Sequence, residues 1–247
     1  MILQSSPNEP TFFEDDFPLH WQMTRWEKYA FLMLLERSRP EVALEIGTYK
    51  GGSLQALARK VQKVYTIDIN EDSKRNLGNI FPNVHFYTGE SKTLIPEVLK
   101  NIEHKNEELG FVLIDGDHST EGVRNDINAV LKYIPKRPLY IVFHDSFFPL
   151  CRVGILEADW QECKHVHYLE VDFIPGVFHF KAFDTAKPKS MYGGLALALM
   201  LPEKRKEPLI VHQSQKGLFD SVFKISRHAR YYRLKKILKS IKRKIRR

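Results

Sequence analysis

Cysteine is scarce in this chain. Cys151 and Cys163 are the two present, and they lie on one stretch with helical patterning. A helix rises about 1.5 Å per residue, which sets them about 18 Å apart, too far for a disulfide. A reducing compartment, and so a cytoplasmic location, is the simplest expectation. Long apolar runs are missing too. The longest, residues 195–201, is far short of the roughly 20 residues that span a bilayer. Residues 1–20 carry acids and prolines with no apolar centre, so they do not read as a signal peptide. Finally, acid is absent from residues 227–247, which hold 11 lysines and arginines. The net charge of +8 is therefore a property of the tail, because the remainder has 27 basic side chains against 30 acidic ones. An argument for a polyanionic partner applies to the tail alone.

What is present reads as globular. With 247 residues and 43% apolar content, the chain can bury one good core. It divides into an N-terminal arm and helix (1–40), a central domain (41–205) and a C-terminal extension (206–247). Apolar residues at helical spacing (Trp26, Tyr29, Ala30, Met33, Leu34) predict a helix over 21–37. Strands are predicted at 42–47, 63–69, 84–89, 111–115 and 139–143. Helices fall between them at 53–60, 71–79, 91–100 and 120–134, with Ser91 as the N-cap of the third. Another helix is expected at 153–163, then strands at 167–174 and 194–201. The long segment joining those two strands is placed to shape a substrate pocket. Alternation of this kind implies an α/β, Rossmann-like sheet covered on both faces. Seven strands are expected, mostly parallel, with an antiparallel edge from the two late ones.

The residues after the first strand organise the rest. Glu45-Ile46-Gly47-Thr48-Tyr49-Lys50-Gly51-Gly52-Ser53 reads as strand end, tight turn and helix start. Such a turn gathers free amides and the positive end of a helix at one point. Gly47 allows the sharp turn, and Gly51 or Gly52 allows close approach of a ligand. The spacing is E-x-G-x-x-x-G rather than the G-x-G-x-x-G of a dinucleotide site. An acid beside the turn suits a ligand with a cationic end.

Ligands of open parallel sheets bind outside the carboxyl ends of the strands. Each predicted strand delivers polar groups there: Glu45, then Asp68, then Glu90 and Ser91, then Asp115, Asp117 and His118, then His144, Asp145 and Ser146. Asp68 is placed to take a ribose diol. Asp115 and Asp145 end neighbouring strands, about 4.8 Å apart, and two carboxylates that close repel unless protonated or bridged by a cation. A hard ion such as Mg²⁺ would suit them. His118 follows Asp115 by three residues and is a candidate base. The competing account makes His118 a helix cap and Asp145 a loop acid. His165, His167 and His179 read as ordinary histidines.

Five segments carry a resemblance: EIGTYKGGS (45–53), YTIDIN (65–70), TGESKTLIPEVL (88–99), LIDGDHSTEGVRNDI (113–127) and FHDS (143–146). They resemble the class I S-adenosylmethionine-dependent methyltransferases. Within that group they are similar to the catechol and caffeoyl-coenzyme A O-methyltransferases, and more closely to methyltransferase family 24, the macrocin-type set. The resemblance covers roughly residues 40–150. It implies that Glu45, Gly47, Tyr49, Gly51 and Ser53 hold the methionine part of the cofactor. By the same resemblance Asp68 holds the ribose, Glu90 and Ser91 lie near the adenine, and Asp115 borders the cofactor. Asp115 and Asp145 correspond to metal ligands and His118 to the base. Catechol-type enzymes have Asp-Asn after the fifth strand, whereas this chain has His144-Asp145-Ser146, so His144 or water would complete a metal sphere.

The implied function is methyl transfer to a hydroxyl of a small molecule or sugar, with S-adenosyl-L-methionine as cofactor and Mg²⁺ or another divalent cation assisting. The alternatives are N-methylation or RNA methylation, and a non-catalytic cofactor-binding module docked at a membrane. Against amino methylation, Asp115-Gly116-Asp117-His118 stands where an Asn/Asp-Pro-Pro-Tyr/Phe motif would. In the tail, Leu234, Ile237, Leu238, Ile241 and Ile245 share one helical face within a cationic surround. That pattern favours an anionic membrane surface, at the inner face, over nucleic acid, which needs charge but no apolar stripe. A helix packed on another subunit of a homo-oligomer is the third option.

Overall fold

The computed structural model describes residues 17–179 and 190–223. Its helices in chain order are α1 (Arg25–Ser38), α2 (Gly52–Lys60), α3 (Glu71–Leu77), α4 (Ser91–His104), α5 (Thr120–Val130), α6 (Pro149–Leu156) and α7 (Lys216–Phe223). Its strands are β1 (Val42–Ile46), β2 (Lys63–Asp68), β3 (Val84–Thr88), β4 (Leu109–Ile114), β5 (Leu139–His144), β6 (Val166–Ile174), β7 (Val177–His179), β8 (Ser190–Tyr192), β9 (Leu195–Met200) and β10 (Val211–His212). Eight of these form one sheet in the order β10-β6-β9-β5-β4-β1-β2-β3, and β7 pairs with β8 apart from it. The expected arm (1–16), the basic tail (227–247) and part of the segment between the late strands (180–189) lie outside the described residues.

The centre of the sheet follows from composition. β1 and β4 are buried at every position, as strands covered on both faces must be, and their sequences are accordingly unbroken apolar runs apart from Glu45 and Gly110. One face packs under α4, α5 and α6 through Ile95, Val98, Val123, Ile127 and Ile155. The other packs under α1, α2 and α3 through Phe31, Leu34, Leu54, Leu57 and Leu77. β1 to β5 run parallel, so their carboxyl ends share one edge.

The late strands differ from expectation. β9 is antiparallel to both β5 and β6 and lies between them. One internal strand is therefore reversed, and the pair does not form an antiparallel edge. β10 adds beside β6 in parallel, making eight strands.

Three helices also differ. α1 starts at a capping box, in which the Thr24 hydroxyl accepts from the Glu27 amide and the Glu27 carboxylate accepts from the Thr24 amide. Its buried face is Glu27, Phe31, Leu34, Leu35 and Ser38, while Trp26, Tyr29 and Met33 are exposed. α4 is capped by Glu90, and Ser91 is its first helical residue rather than its N-cap. α6 ends at Leu156, so Cys151 sits on it and Cys163 lies beyond it, both as free thiols.

Candidate active site

Gly47 adopts φ +92°, and a Cβ there would come within 2.2 Å of the Asp115 carbonyl oxygen. Only glycine lets the turn after β1 lie against the end of β4. The turn is held from the next strand. Asp68 Oδ2 accepts hydrogen bonds from the amides of Thr48 (3.0 Å) and Tyr49 (2.7 Å) and from the Ser73 hydroxyl (2.9 Å). Its Oδ1 accepts from the Asn70 amide at 2.8 Å. Both carboxylate oxygens are thus engaged by the chain itself, and a diol would have to share them. Tyr49, at φ 48°, leaves its ring exposed at the rim. Gly51 and Gly52 serve packing. A Cβ on Gly51 would meet Leu77 and Leu19, and one on Gly52 would meet the backbone of His20 and Trp21. On the side where a Cβ would project, both glycines are packed against the chain.

Glu45 lies fully buried under this turn. Its two oxygens accept from the hydroxyls of Ser53 (2.6 Å) and Thr66 (2.7 Å). Burial pushes its carboxyl up to about 7, against the lowering effect of those two hydrogen bonds. Ser53 therefore ties the first turn of α2 to the end of β1.

At the third strand end, Ser91 Oγ donates to Asp126 Oδ1 at 2.6 Å. Asp126, on α5, is 1% exposed, and its other oxygen is sealed with no partner among the described residues. Burial pushes its carboxyl up to about 6. No sequence signal marked this residue. The Glu90 side chain makes no capping bond.

The fourth and fifth strand ends meet. Ile114 pairs with Phe143, so the next residues, Asp115 and His144, face each other across the two strands. His144 Nδ1 lies 3.0 Å from Asp115 Oδ1 and 4.0 Å from Asp145 Oδ2. His118 Nε2 lies 3.4 Å from both Asp115 Oδ1 and Asp145 Oδ2. Burial would raise the Asp115 carboxyl, but the charges and hydrogen bonds of His144 and His118 outweigh it and hold it down to about 2. The hydrogen bond to Asp115 raises His118, with Asp145 adding to it. Burial opposes charge on His144, yet the carboxylates around it keep its proton well above the ordinary histidine range. Asp117 stands apart. Its carboxylate accepts from the Ser119 amide and hydroxyl, which orders the cap of α5.

Two further groups complete the cluster. Asp145, at φ 59°, accepts from the Gly193 amide at 2.5 Å. Glu27 is 1% exposed, accepts from the Gly194 amide, and approaches His144 Nε2 at 3.6 Å. Burial would raise the Glu27 carboxyl, but His144 and Thr24 hold it below the usual range. The sequence reading did not mark Glu27, whose contacts with Gly194 and His144 come from distant segments.

Ligand atoms of Asp115, His144 and Asp145 all lie within 4.8 Å of one another. Two carboxylates and an imidazole at that spacing fit a divalent cation. His165 and His167 instead contact the backbone carbonyls of Leu201 and Glu203.

Residues 44–146 match the family Methyltransf_24, described as a methyltransferase domain. Over those residues the chain is similar to the methyltransferase domains of that family. The matched segment runs from the first strand to Ser146 and so contains the glycine turn, Asp68, Asp115, His118, His144 and Asp145, while Glu27 lies before it. No curated protein matches the chain. Among solved structures, an O-methyltransferase from Bacillus cereus in complex with SAH is 18% identical. That match covers 72% of this chain and 82% of that one, with a TM-score of 0.52. The O-methyltransferase TomG from Streptomyces achromogenes, in complex with SAM, is 15% identical over 72% and 81%, also at 0.52. At these identities the likeness concerns the fold. It agrees with an α/β fold built on a mostly parallel sheet.

Proposed function

We propose that this chain is an S-adenosylmethionine-dependent methyltransferase that methylates a hydroxyl oxygen on a small molecule, with a divalent cation bound at Asp115, His144 and Asp145. One observation carries the reading. The glycine turn after β1, braced by Asp68 and underlain by Glu45, abuts the Asp115–His144–Asp145 cluster through Gly47, so a cofactor site and an acid–base site adjoin.

The residues divide the work. The turn (Gly47, Tyr49) would hold the methionine end, with the buried Glu45–Ser53 pair bracing it from beneath and the Asp115 carboxylate favouring a cationic ligand. Asp68 would share its carboxylate between the turn and the ribose, and Ser91 with Glu90 would lie along the adenine. A cation at the cluster would supply Lewis acidity toward the acceptor hydroxyl. His118 is half-exposed at the rim and would take the hydroxyl proton at Nε2. It can do so only when neutral, and the neighbouring carboxylates favour its protonated form. Balancing their charge is therefore part of making His118 a base. The site contributes chiefly orientation, holding acceptor oxygen and methyl group in line.

Hydroxylated metabolites offered with methyl-labelled cofactor, with and without divalent cation, test this. Label transfer to oxygen that depends on His118 is the expected result. Cofactor binding without transfer to any acceptor class would leave only a binding module.

Outside the described residues, the tail sequence supports placing the enzyme at an anionic membrane surface, on the cytoplasmic side. No helix among the described residues is long and apolar enough to cross a membrane.

A further inference from the structure

His144 is held from behind. Its Nδ1 faces the carboxylates of Asp115 and Asp145, at 3.0 and 4.0 Å. Its Nε2 points the other way, is sealed from solvent, and has no well-formed hydrogen bond among the described residues. The carboxylate facing it is that of Glu27, with Oε1 at 3.6 Å. Glu27 cannot swing away. One oxygen accepts from the Thr24 amide at 2.5 Å, and the other is fixed by the Gly194 amide. A Cβ on Gly193, at φ +71°, would come within 2.8 Å of Glu27 Oε1, so the close approach of this loop to the carboxylate depends on glycine.

An imidazole that ligates a cation through one nitrogen needs its other nitrogen's proton pinned, and a buried carboxylate is a common partner for it. We infer that Glu27, from the helix that precedes the methyltransferase domain, is the positioning residue that keeps the His144 Nε2 proton and turns Nδ1 into the cluster as a ligand. The site thereby becomes a mixed nitrogen–oxygen site for a borderline divalent ion. Mg²⁺ is served by carboxylates and water and gains little from imidazole, whereas Co²⁺ and Zn²⁺ gain much. This rests on the cation reading proposed above and adds to it both a residue and a metal class.

The test is titration of the whole, metal-free chain with Co²⁺ and, separately, Mg²⁺, followed by calorimetry and the visible spectrum of the bound Co²⁺. Glu27→Gln should weaken Co²⁺ binding by about 10- to 100-fold and alter the Co²⁺ spectrum, while leaving Mg²⁺ affinity near wild type. His144→Asn should give the same selective loss, and the double variant should lose no more. Thr24→Ala removes the capping-box hydroxyl but keeps the Glu27–His144 approach. It should lower the melting temperature and leave the ratio of the two affinities unchanged. If Glu27→Gln fails to fold, Glu27→Asp, which shortens the reach to Nε2, should show the same selective loss. Unchanged Co²⁺ binding in the Glu27 variant, or equal loss for both ions, would overturn the inference and leave the cation site standing. A wild-type chain that binds neither ion would overturn both the inference and the cation reading.

Discussion

The Tyr49 amide donates to Asp68 Oδ2 at 2.7 Å, beside a second bond from Thr48 at 3.0 Å. The acid at the end of β2 therefore shapes the turn after β1 before any ligand arrives. Asp68→Ala would take their acceptor from two turn amides and the Asn70 amide, and leave the Ser73 hydroxyl only the Tyr49 carbonyl. The expected outcome is a loss of about 2–4 kcal/mol of stability, at roughly 1 kcal/mol or more per bond. S-adenosylmethionine affinity should fall at least about tenfold, which is 1.4 kcal/mol. Asp68→Asn, which keeps an acceptor oxygen, should lose less of both. Thermal melts and binding calorimetry on the two variants check this. If affinity falls with stability intact, Asp68 serves the ligand alone.

Burial pushes the Glu45 carboxyl from the ordinary range up to about 7. Between those values the folded chain binds more protons than the unfolded chain, so stability falls as pH rises. The favourable contribution is complete below the unfolded value and is lost by about pH 7–8. Its size is on the order of 3 kcal/mol, at 1.36 kcal/mol per unit. Glu45→Gln removes the titration. The stability of wild type relative to this variant should therefore decline from pH 5 to pH 8 in urea unfolding. A difference that stays flat would mean that Glu45 is ionised throughout.

His118→Ala should lower turnover by about 10²- to 10⁴-fold, the usual worth of a positioned base, and leave cofactor affinity near wild type. The Asp115 hydrogen bond raises the imidazole. Without a cation at the cluster the His118 titration should therefore lie above the ordinary histidine value, a bound divalent cation should lower it, and the rate limb that follows it should vanish in the variant. Rate–pH profiles with calorimetry decide it. Unchanged turnover would remove His118 from the chemistry.

Much of the sheet and the site was legible because it is written in local patterns. Unbroken apolar runs gave β1 and β4, and a polar residue after each gave the site edge. Tertiary choices were not legible. α1 has apolar residues on more than one face, and Trp26 and Met33 fit helical spacing as well as Phe31 and Leu35 do. Contact with the sheet selects the latter, through Phe31 against Trp21 and Phe111. The insertion of β9 between β5 and β6 depends on pairing across more than fifty residues, which period and composition do not encode. Asp126 and Glu27 were missed for related reasons. Each is a polar residue on a helix whose partner lies on a distant segment, Ser91 for one and His144 for the other.

Arg152 is fully buried, with its guanidinium 2.5 Å from Asp172 Oδ1 and 4.4 Å from the centre of the Phe219 ring. This pair ties α6 to β6 and to α7 in the C-terminal extension. Arg152→Met should cost about 3–5 kcal/mol, because Asp172 would be left charged and buried without its partner. The double change Arg152→Met with Asp172→Leu should recover part of that loss. Denaturant unfolding of the single and double variants measures the difference. A small cost for the single change would mean that water reaches Asp172.

The tail carries 11 basic residues and no acid over residues 227–247, with five aliphatic side chains at helical spacing. Charge alone would serve a nucleic acid or a membrane equally. The aliphatic stripe separates the two, since burying apolar area helps only at a lipid interface. Each Lys or Arg near an anionic surface contributes about 1 kcal/mol, and that contribution is screened by salt. The full chain should therefore co-sediment with vesicles containing phosphatidylserine and not with neutral ones. Raised salt should weaken this binding, and deletion of residues 227–247 should abolish it, while methyl transfer to a soluble acceptor continues. An excess of duplex RNA should compete only weakly, because it leaves the stripe in water. Equal binding to neutral and anionic vesicles, or displacement by RNA at low concentration, would assign the tail a different partner.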